Sequence, residues 1–305
     1  MSQKATVLFD APGPRARRRN FLIGVVGAAL LVAGIVWVIR RFDQTGQFEQ
    51  RKWDPFQYAG VQNFLLDGLY ATLKVFGLAV VGSLVLGALL AAGRLSDHRP
   101  VRWLATAFVT FFRAMPLLIL IFFLYLAPAK LSWWPGFLDW INDDLMWPLV
   151  LGLVLYNGTV QAETMRAGIL ALPKGQSEAA YAVGMRKSQV MGQILVPQGI
   201  RAMLPSIISQ MVVTLKDTSL GYLISYHELL YNGKLIASTQ TYGFPFIPVA
   251  IVVGTVYILM CMALSLFAVW LERFLSRGRK GRPPTIEAPV GGTITPKPDP
   301  VETAV

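Results

Sequence analysis

The sequence contains few of the residues on which metal centres and catalytic sites are usually built. Among its 305 residues there are one cysteine, Cys261, and two histidines, His98 and His227. A single cysteine excludes a disulfide within the chain and a cysteine-based metal cluster. The two histidines lie far apart in sequence and give no metal-ligand spacing, so we expect no metal site.

The sequence also lacks a phosphate-binding loop of the form Gly-x-x-x-x-Gly-Lys-Ser/Thr. No nucleophile–base pair can be recognised either, which makes an enzyme a poor interpretation. We therefore predict that the chain is not an enzyme and that it holds no cofactor of its own.

Charged side chains are scarce as well. They make up 15% of the chain, whereas 54% of the residues are hydrophobic and the mean hydropathy is +0.50. A soluble domain of this length does not need so much apolar surface, and the excess indicates lipid as the solvent. The net charge of +11 is compatible with nucleic-acid binding. On so apolar a chain, however, it is more typical of lysine and arginine retained on cytoplasmic loops.

Six apolar stretches are long enough to cross a bilayer, which takes roughly 20 residues in a helix. We therefore predict an all-α integral membrane protein with six transmembrane helices. A basic segment precedes the first stretch, as in a signal peptide, but the stretch is too long and lacks a cleavage site, so we expect a retained helix. The predicted spans are 21–39, 69–92, 103–127, 147–172, 203–226 and 244–271.

The positions of lysine and arginine predict the orientation of these spans. An even number of spans places both termini on one side, and most of the 28 basic residues fall on that side. The positive-inside rule makes it the cytoplasmic side. We predict a basic cytoplasmic tail (1–20), an extra transmembrane helix (21–41), a transmembrane domain (65–275) with a cytoplasmic loop (173–200), and a disordered cytoplasmic tail (276–305) rich in Pro, Gly and Thr.

The cytoplasmic loop at 173–200 carries the most informative pattern of the chain. Small alanine side chains after Glu178 leave room for a partner surface, and Gly184 permits a left-handed helix stop. On these residues alone, an ordinary interfacial hairpin between two spans is as good an interpretation as a docking site. The pattern itself is Glu178, Ala179 and Ala180, three residues, Gly184, nine residues, and then Ile194, Leu195, Val196 and Pro197.

This pattern resembles the EAA loop of ABC-importer permeases, with Val196 in the place of a leucine. Three other runs resemble the polar amino-acid branch of that family. They are 156–176, the Lys-Asp-Thr-Ser-Leu run at 216–220, and 112–118, where Ala-Met stands for the more common Gly-Thr. Together the matches cover about residues 65–270, so the first helix is an addition to a five-helix core.

The resemblance implies a function and a set of partners. In that family the loop forms a coupling helix that fits a groove in a separate ATPase subunit, which binds the ATP and Mg. A second permease subunit, identical or related, completes the pathway, and an extracytoplasmic solute-binding protein delivers the substrate. The implied location is the prokaryotic cell (inner) membrane. The implied substrate is a polar amino acid, with glutamate or glutamine favoured, and no nucleic acid is involved. The implied ATPase contact is Glu178, Ala179, Ala180 and Gly184.

Several charged residues fall inside the predicted spans, where each costs roughly 2.5–3.5 kcal/mol on insertion scales. A zwitterionic amino acid needs a carboxylate for its ammonium group and a guanidinium for its carboxylate. Glu163, Asp217 and Arg113 supply those groups. We predict a substrate pathway formed by them together with the neutral hydrogen-bonding residues Asn157, Thr159 and Thr218.

Two other interpretations of these charges remain open at the level of the sequence. The groups can pair with one another and hold the bundle together, which is the role we expect for Arg166 and Lys216. Alternatively, they can form a proton or ion relay in an ion-coupled carrier or channel. That second alternative leaves the EAA-like loop unexplained.

Overall fold

The computed structural model describes residues 13–131 and 135–276, and no strand occurs within these ranges. The all-α prediction is confirmed for this part of the chain. Residues 1–12 of the predicted N-terminal tail and 277–305 of the predicted C-terminal tail lie outside the described residues. The helices are α1 (Pro14–Gln44), α2 (Ala59–Arg94), α3 (Arg99–Ala114), α4 (Leu117–Lys130), α5 (Met146–Leu170), α6 (Lys174–Ala182), the single turn α7 (Lys187–Gln189), α8 (Val196–Asp217), α9 (Leu229–Ala237) and α10 (Phe246–Ser276).

Helices α2 and α5 pack along much of their length and form the centre of the bundle. Glycines let the two backbones approach closely, as is common where membrane helices meet. A Cβ on Gly87 would lie 2.7 Å from the Gln161 Cβ, and one on Gly158 would lie 2.9 Å from a Leu86 methyl. A core of fully buried apolar side chains packs between α2, α4 and α5 and includes Val75, Ala79, Ile121, Leu149 and Leu153.

The predicted third span, 103–127, is wrong as a continuous helix. The structure divides it into α3 and α4, which are bent by 98° at the break. Met115 and Pro116 both have extended backbone there, with ψ of 130°. Proline has no N–H and disfavours helical backbone at the preceding residue, so Pro116 ends one helix and starts the next. Helix α4 has only 14 residues.

The predicted fifth span, 203–226, is displaced in the structure. Helix α8 already begins at Val196, directly after a π-helical turn at Val190–Leu195. Pro197 occupies the first turn of α8, where proline is tolerated because no N–H is needed. The helix ends at Asp217, and Thr218–Ile224 continue as a 3-10 turn.

Three described helices are long and apolar enough to cross a membrane, namely α1, α2 and the Phe246–Leu271 part of α10. The bent α3–α4 pair would add a fourth span if it is counted as one. Polar residues inside α5, such as Asn157 and Gln161, lower its apolarity. Helix α1 extends beyond the predicted 21–41 at both ends, and none of its residues is buried.

Candidate functional site

The loop that resembles the EAA motif forms a short helix closed by a glycine. Helix α6 begins after Pro173, and Gly184 has a φ of +84°. The N–H of Gly184 donates to Tyr181 O at 3.0 Å, and the N–H of Met185 donates to Ala180 O at 3.1 Å. This pair of bonds is a Schellman stop, which satisfies the last carbonyls of the helix. The left-handed stop expected at Gly184 is therefore present.

One side of α6 is open to solvent. Glu178 and Ala179 are exposed, whereas Ala180 is buried. Two apolar side chains extend the open surface, because Tyr181 is 48% exposed and Val183 is 79% exposed. These two residues were not predicted as part of the contact. Their position next to the alanines of the motif was the feature of the sequence that could have indicated it. An exposed apolar surface with a charge at its edge is typical of a protein–protein contact.

A lysine ties this loop to the turn between α2 and α3. Lys187 donates from Nζ to Leu95 O at 3.1 Å, and it also forms an ion pair with Asp97. The hydrogen bond from Lys187 holds the pKa of the Asp97 carboxyl below its ordinary value. The coupling loop is thus joined to the rest of the bundle by side chains as well as by the backbone.

Three arginines from three helices surround the carboxylate of Glu163. Arg94 forms an ion pair with Oε2, Arg166 donates to Oε1 at 2.7 Å, and Arg113 lies 3.7 Å from Oε2. Glu163 and Arg113 were predicted to belong to a substrate pathway, and mutual pairing of the charges was the structural alternative. In the structure Glu163 is paired with Arg166 and approached by Arg113, as that alternative describes. Arg94 was not among the predicted site residues, because it stands at the end of an apolar run, outside the predicted span 69–92.

This cluster holds together one end of α2, of α3 and of α5. One carboxylate shared by three guanidiniums leaves an excess of positive charge, and Arg113 is the least confined of the three, with 47% of its side chain exposed. Asp217, which was predicted to act with Glu163 and Arg113, lies at the end of α8 instead. Within the described ranges it forms no ion pair.

The three neutral residues of the predicted pathway are fully buried within the chain. Asn157 donates to Leu153 O at 3.1 Å and accepts from Gln210 Nε2 at 2.8 Å, which links α5 to α8. Thr159 and Thr218 each donate to a carbonyl three residues earlier, at 2.7 Å. In this conformation Asn157 joins two helices, the two threonines bond within their own segments, and none of the three is open to a substrate.

A buried carboxylate that sequence reasoning did not single out lies at the start of α9. Glu228 is 0% exposed and accepts three hydrogen bonds, from the N–H groups of Leu230 and Tyr231 and from the Tyr257 hydroxyl at 2.8 Å. The neighbouring Leu229 N–H donates to the Thr72 hydroxyl at 3.1 Å. Helix α9 is thereby fixed to both α2 and α10. The signal in the sequence was a glutamate directly before a short helix, which is a capping position.

Comparison with known proteins places this architecture in a family. Residues 83–280 match the family described as "binding-protein-dependent transport system inner membrane component". The glutamate transport system permease protein GluD of Corynebacterium glutamicum is 40% identical over 235 residues, which is 77% of this chain and 83% of that protein. The glutamate/aspartate import permease protein GltK of Escherichia coli O6:H1 is 35% identical over 69% of this chain and 92% of its own length.

A solved structure agrees with these matches. The structure described as an amino acid ABC transporter with histidines aligns with 70% of this chain and 94% of its own chain, with a TM-score of 0.61 and 25% identity. The chain therefore belongs to the family of binding-protein-dependent inner membrane transport components. Within that family it is an ABC-importer permease subunit of the polar amino-acid branch, and ATP hydrolysis belongs to a separate chain.

Proposed function

We propose that this permease imports glutamate or a closely similar polar amino acid. The two relatives described above, at 40% and 35% identity, are named for glutamate and for glutamate with aspartate. A match that spans most of both chains supports a shared substrate class more strongly than the loop motif does. Glutamine is the nearest alternative, because a relative named as a probable glutamine permease in Bacillus subtilis is 32% identical.

The proposed binding surface for the ATPase subunit is the solvent-exposed side of α6. An ATPase subunit would dock on Glu178, Ala179 and Gly184, with the exposed Tyr181 and Val183 adding apolar contact. Ala180, which was predicted to belong to this contact, is buried within the chain and is therefore left out of the proposed surface. ATP and Mg would bind to that partner and not to this chain. Closure of the ATPase pair would move the loop and switch the pathway between inward- and outward-facing states. ATP can drive this switch only if it binds more tightly to the closed ATPase pair than to the open one, because a ligand shifts an equilibrium through its difference in affinity for the two states.

The proposed topology has six spans and both termini in the cytoplasm of a prokaryotic cell, with the protein in its inner membrane. Helix α1 is the extra span, and residues 65–275 form the permease domain. The excess of basic residues on the loop side supports this orientation. A second permease subunit would close the pathway, and an extracytoplasmic binding protein would deliver the substrate.

The predicted substrate residues divide into three groups in this proposal. Glu163 and Arg113 belong to the charge cluster at the coupling-loop end of the pathway, where the unsatisfied guanidinium groups attract an anion. Asp217 lies at the opposite end of the bundle. Asn157, Thr159 and Thr218 become accessible to a substrate only if α5 and α8 separate during transport.

Uptake by the reconstituted complex tests the proposal. The permease, its ATPase and its binding protein are placed in liposomes, and the accumulation of radiolabelled glutamate is followed with and without ATP. We expect accumulation that requires ATP hydrolysis. Uptake that is driven equally well by an ion gradient without the ATPase would support the ion-coupled carrier and overturn this proposal.

A further inference from the structure

Helix α1 carries its charged residues only near its two ends. An uncharged stretch, 20–39, separates Arg19 from Arg40. At a rise of about 1.5 Å per residue this stretch is about 30 Å long, which matches the hydrocarbon core of a bilayer. The arginines on either side of it therefore lie at the level of the lipid headgroups.

Four arginines cluster at the start of α1, at positions 15, 17, 18 and 19. All four are exposed, and in the described part of the chain none of them forms an ion pair. The sequence has no aspartate or glutamate between positions 13 and 42. No residue of α1 is buried, so the cluster faces the surroundings of the protein and not the helical bundle. The described chain thus supplies no counter-charge for these guanidinium groups.

Two of these arginines share one face of the helix with an aromatic side chain. Phe21 stands four positions after Arg17 and three after Arg18, so the three side chains are neighbours on the helix surface. Together with Pro14 and Arg15 they line an open recess of about 580 Å³. Phe21 is 70% exposed and begins the apolar stretch. The recess therefore offers guanidinium groups at headgroup level and an apolar surface directly below them.

We propose that Arg17 and Arg18 bind the phosphate of an anionic phospholipid, with its acyl chains along Phe21 and the apolar stretch after it. Guanidinium groups bind phosphate oxygens through charge-assisted hydrogen bonds. Clusters of basic residues beside a membrane span attract anionic lipids, whereas the cationic group of a zwitterionic lipid is repelled by the same cluster. Inorganic phosphate offers the same oxygens but makes no contact with Phe21. The site lies outside residues 83–280, which match the family, and it does not depend on the transported substrate.

Binding of phosphatidylglycerol to the full-length permease, purified with its ATPase partner in detergent, tests the two arginines. Native mass spectrometry counts the bound lipid during a titration and gives its dissociation constant. We expect Arg17→Gln and Arg18→Gln each to weaken binding roughly fivefold, because each removes one basic side chain from the headgroup layer. Phosphatidylcholine with the same acyl chains should bind more weakly and should respond little to either change. Each variant keeps the other arginines of the cluster, so membrane insertion should be unaffected.

Arg19→Gln is the matched control, because it removes the same charge from a residue that does not line the recess. Its side chain projects from another face of the helix, and salt screens the remaining attraction, so the affinity for phosphatidylglycerol should stay within about twofold. Equal weakening in all three variants would reduce the effect to a general attraction between a basic helix end and an anionic surface, and would overturn the site. Unchanged affinity in both Arg17→Gln and Arg18→Gln would overturn it as well. Displacement of the lipid by an excess of inorganic phosphate would show that phosphate alone is the ligand and would contradict a lipid site.

Discussion

Arg94, the last residue of α2, forms an ion pair with Glu163 of α5, 69 positions further along the chain. The same carboxylate is held by Arg166 and approached by Arg113, so the ends of three helices meet at one acidic group. The negative charge of one carboxylate therefore offsets the electrostatic repulsion among three neighbouring guanidinium groups. This arrangement makes Glu163 the residue whose loss the cluster can least accommodate.

Neutralising Glu163 should destabilise the protein more than removing any one arginine. In Glu163→Gln three cations repel one another without a counter-charge. An exposed ion pair contributes about 1 kcal/mol to the free energy of unfolding, and breaking a buried one costs ~3–5 kcal/mol. Because this site is partly exposed, we expect Glu163→Gln to lower the free energy of unfolding by an amount between these values. Thermal unfolding of the purified protein measures it. Arg113→Gln should have the smallest effect, because its contact is 3.7 Å long. An equal loss in Arg113→Gln would contradict this assignment.

Replacement of Gly184 should affect the coupling loop through backbone strain alone. Its φ of +84° disfavours any side chain, yet a Cβ there would meet nothing within 4 Å. Gly184→Ala should cost about 1 kcal/mol and lower transport per ATP hydrolysed. Gly192→Ala is the control, because Gly192 also has open space but lies in a helical turn without positive φ. Similar transport by both variants would show that the left-handed stop is not needed.

The bridge between Lys187 and Asp97 should contribute to coupling. Lys187→Glu replaces an attraction with a repulsion, so the loop loses its side-chain tie to the α2–α3 turn. We expect fewer substrates moved per ATP, and recovery in the double variant Lys187→Glu with Asp97→Lys. The pKa of Asp97 is lowered by Lys187, so the bridge persists down to pH values below the ordinary carboxyl pKa and is lost only in stronger acid. Failure of the double variant to recover would show that the pair has no such role.

Glu228 should be required for the seating of α9. Its carboxylate accepts three hydrogen bonds while fully buried, so Glu228→Ala leaves three donors unsatisfied, at about 1–3 kcal/mol each before relaxation. Hydrogen exchange of α9 should rise strongly. Tyr257→Phe removes one of the three bonds and should give a smaller increase. Unchanged exchange in Glu228→Ala would indicate that α9 is held by apolar packing alone.

The sequence was sufficient for the helical class and the coupling loop, because both depend on local patterns. Apolar runs are long enough to be recognised directly, and the left-handed glycine after an alanine-rich helix has a known conformational cause. The α5 boundaries, predicted at 147–172, agree closely with Met146–Leu170 in the structure. Charge pairing between Glu163 and its i+3 neighbour Arg166 follows from helix geometry in the same way.

Other features depend on contacts between distant segments and could not be predicted. Arg94 reaches Glu163 only because α2 and α5 pack side by side. The span 103–127 was predicted as one helix, whereas the 98° bend at Pro116 brings α3 against α2 and α5. The burial of Asn157, Thr159 and Thr218 has the same origin, since hydrogen-bonding residues look alike in sequence whether they face a pathway or a neighbouring helix.

The charge at the exposed side of α6 gives the most direct test of the coupling mechanism. Glu178→Arg reverses that charge in the reconstituted complex, and ATP-dependent accumulation of glutamate is compared with membrane insertion of the permease. Asp139→Arg, an exposed carboxylate outside the loop, serves as the control. We predict that Glu178→Arg inserts normally but loses ATP-dependent uptake, whereas the control retains it. Full uptake by Glu178→Arg, with the ATPase still required, would contradict docking of the ATPase on this loop.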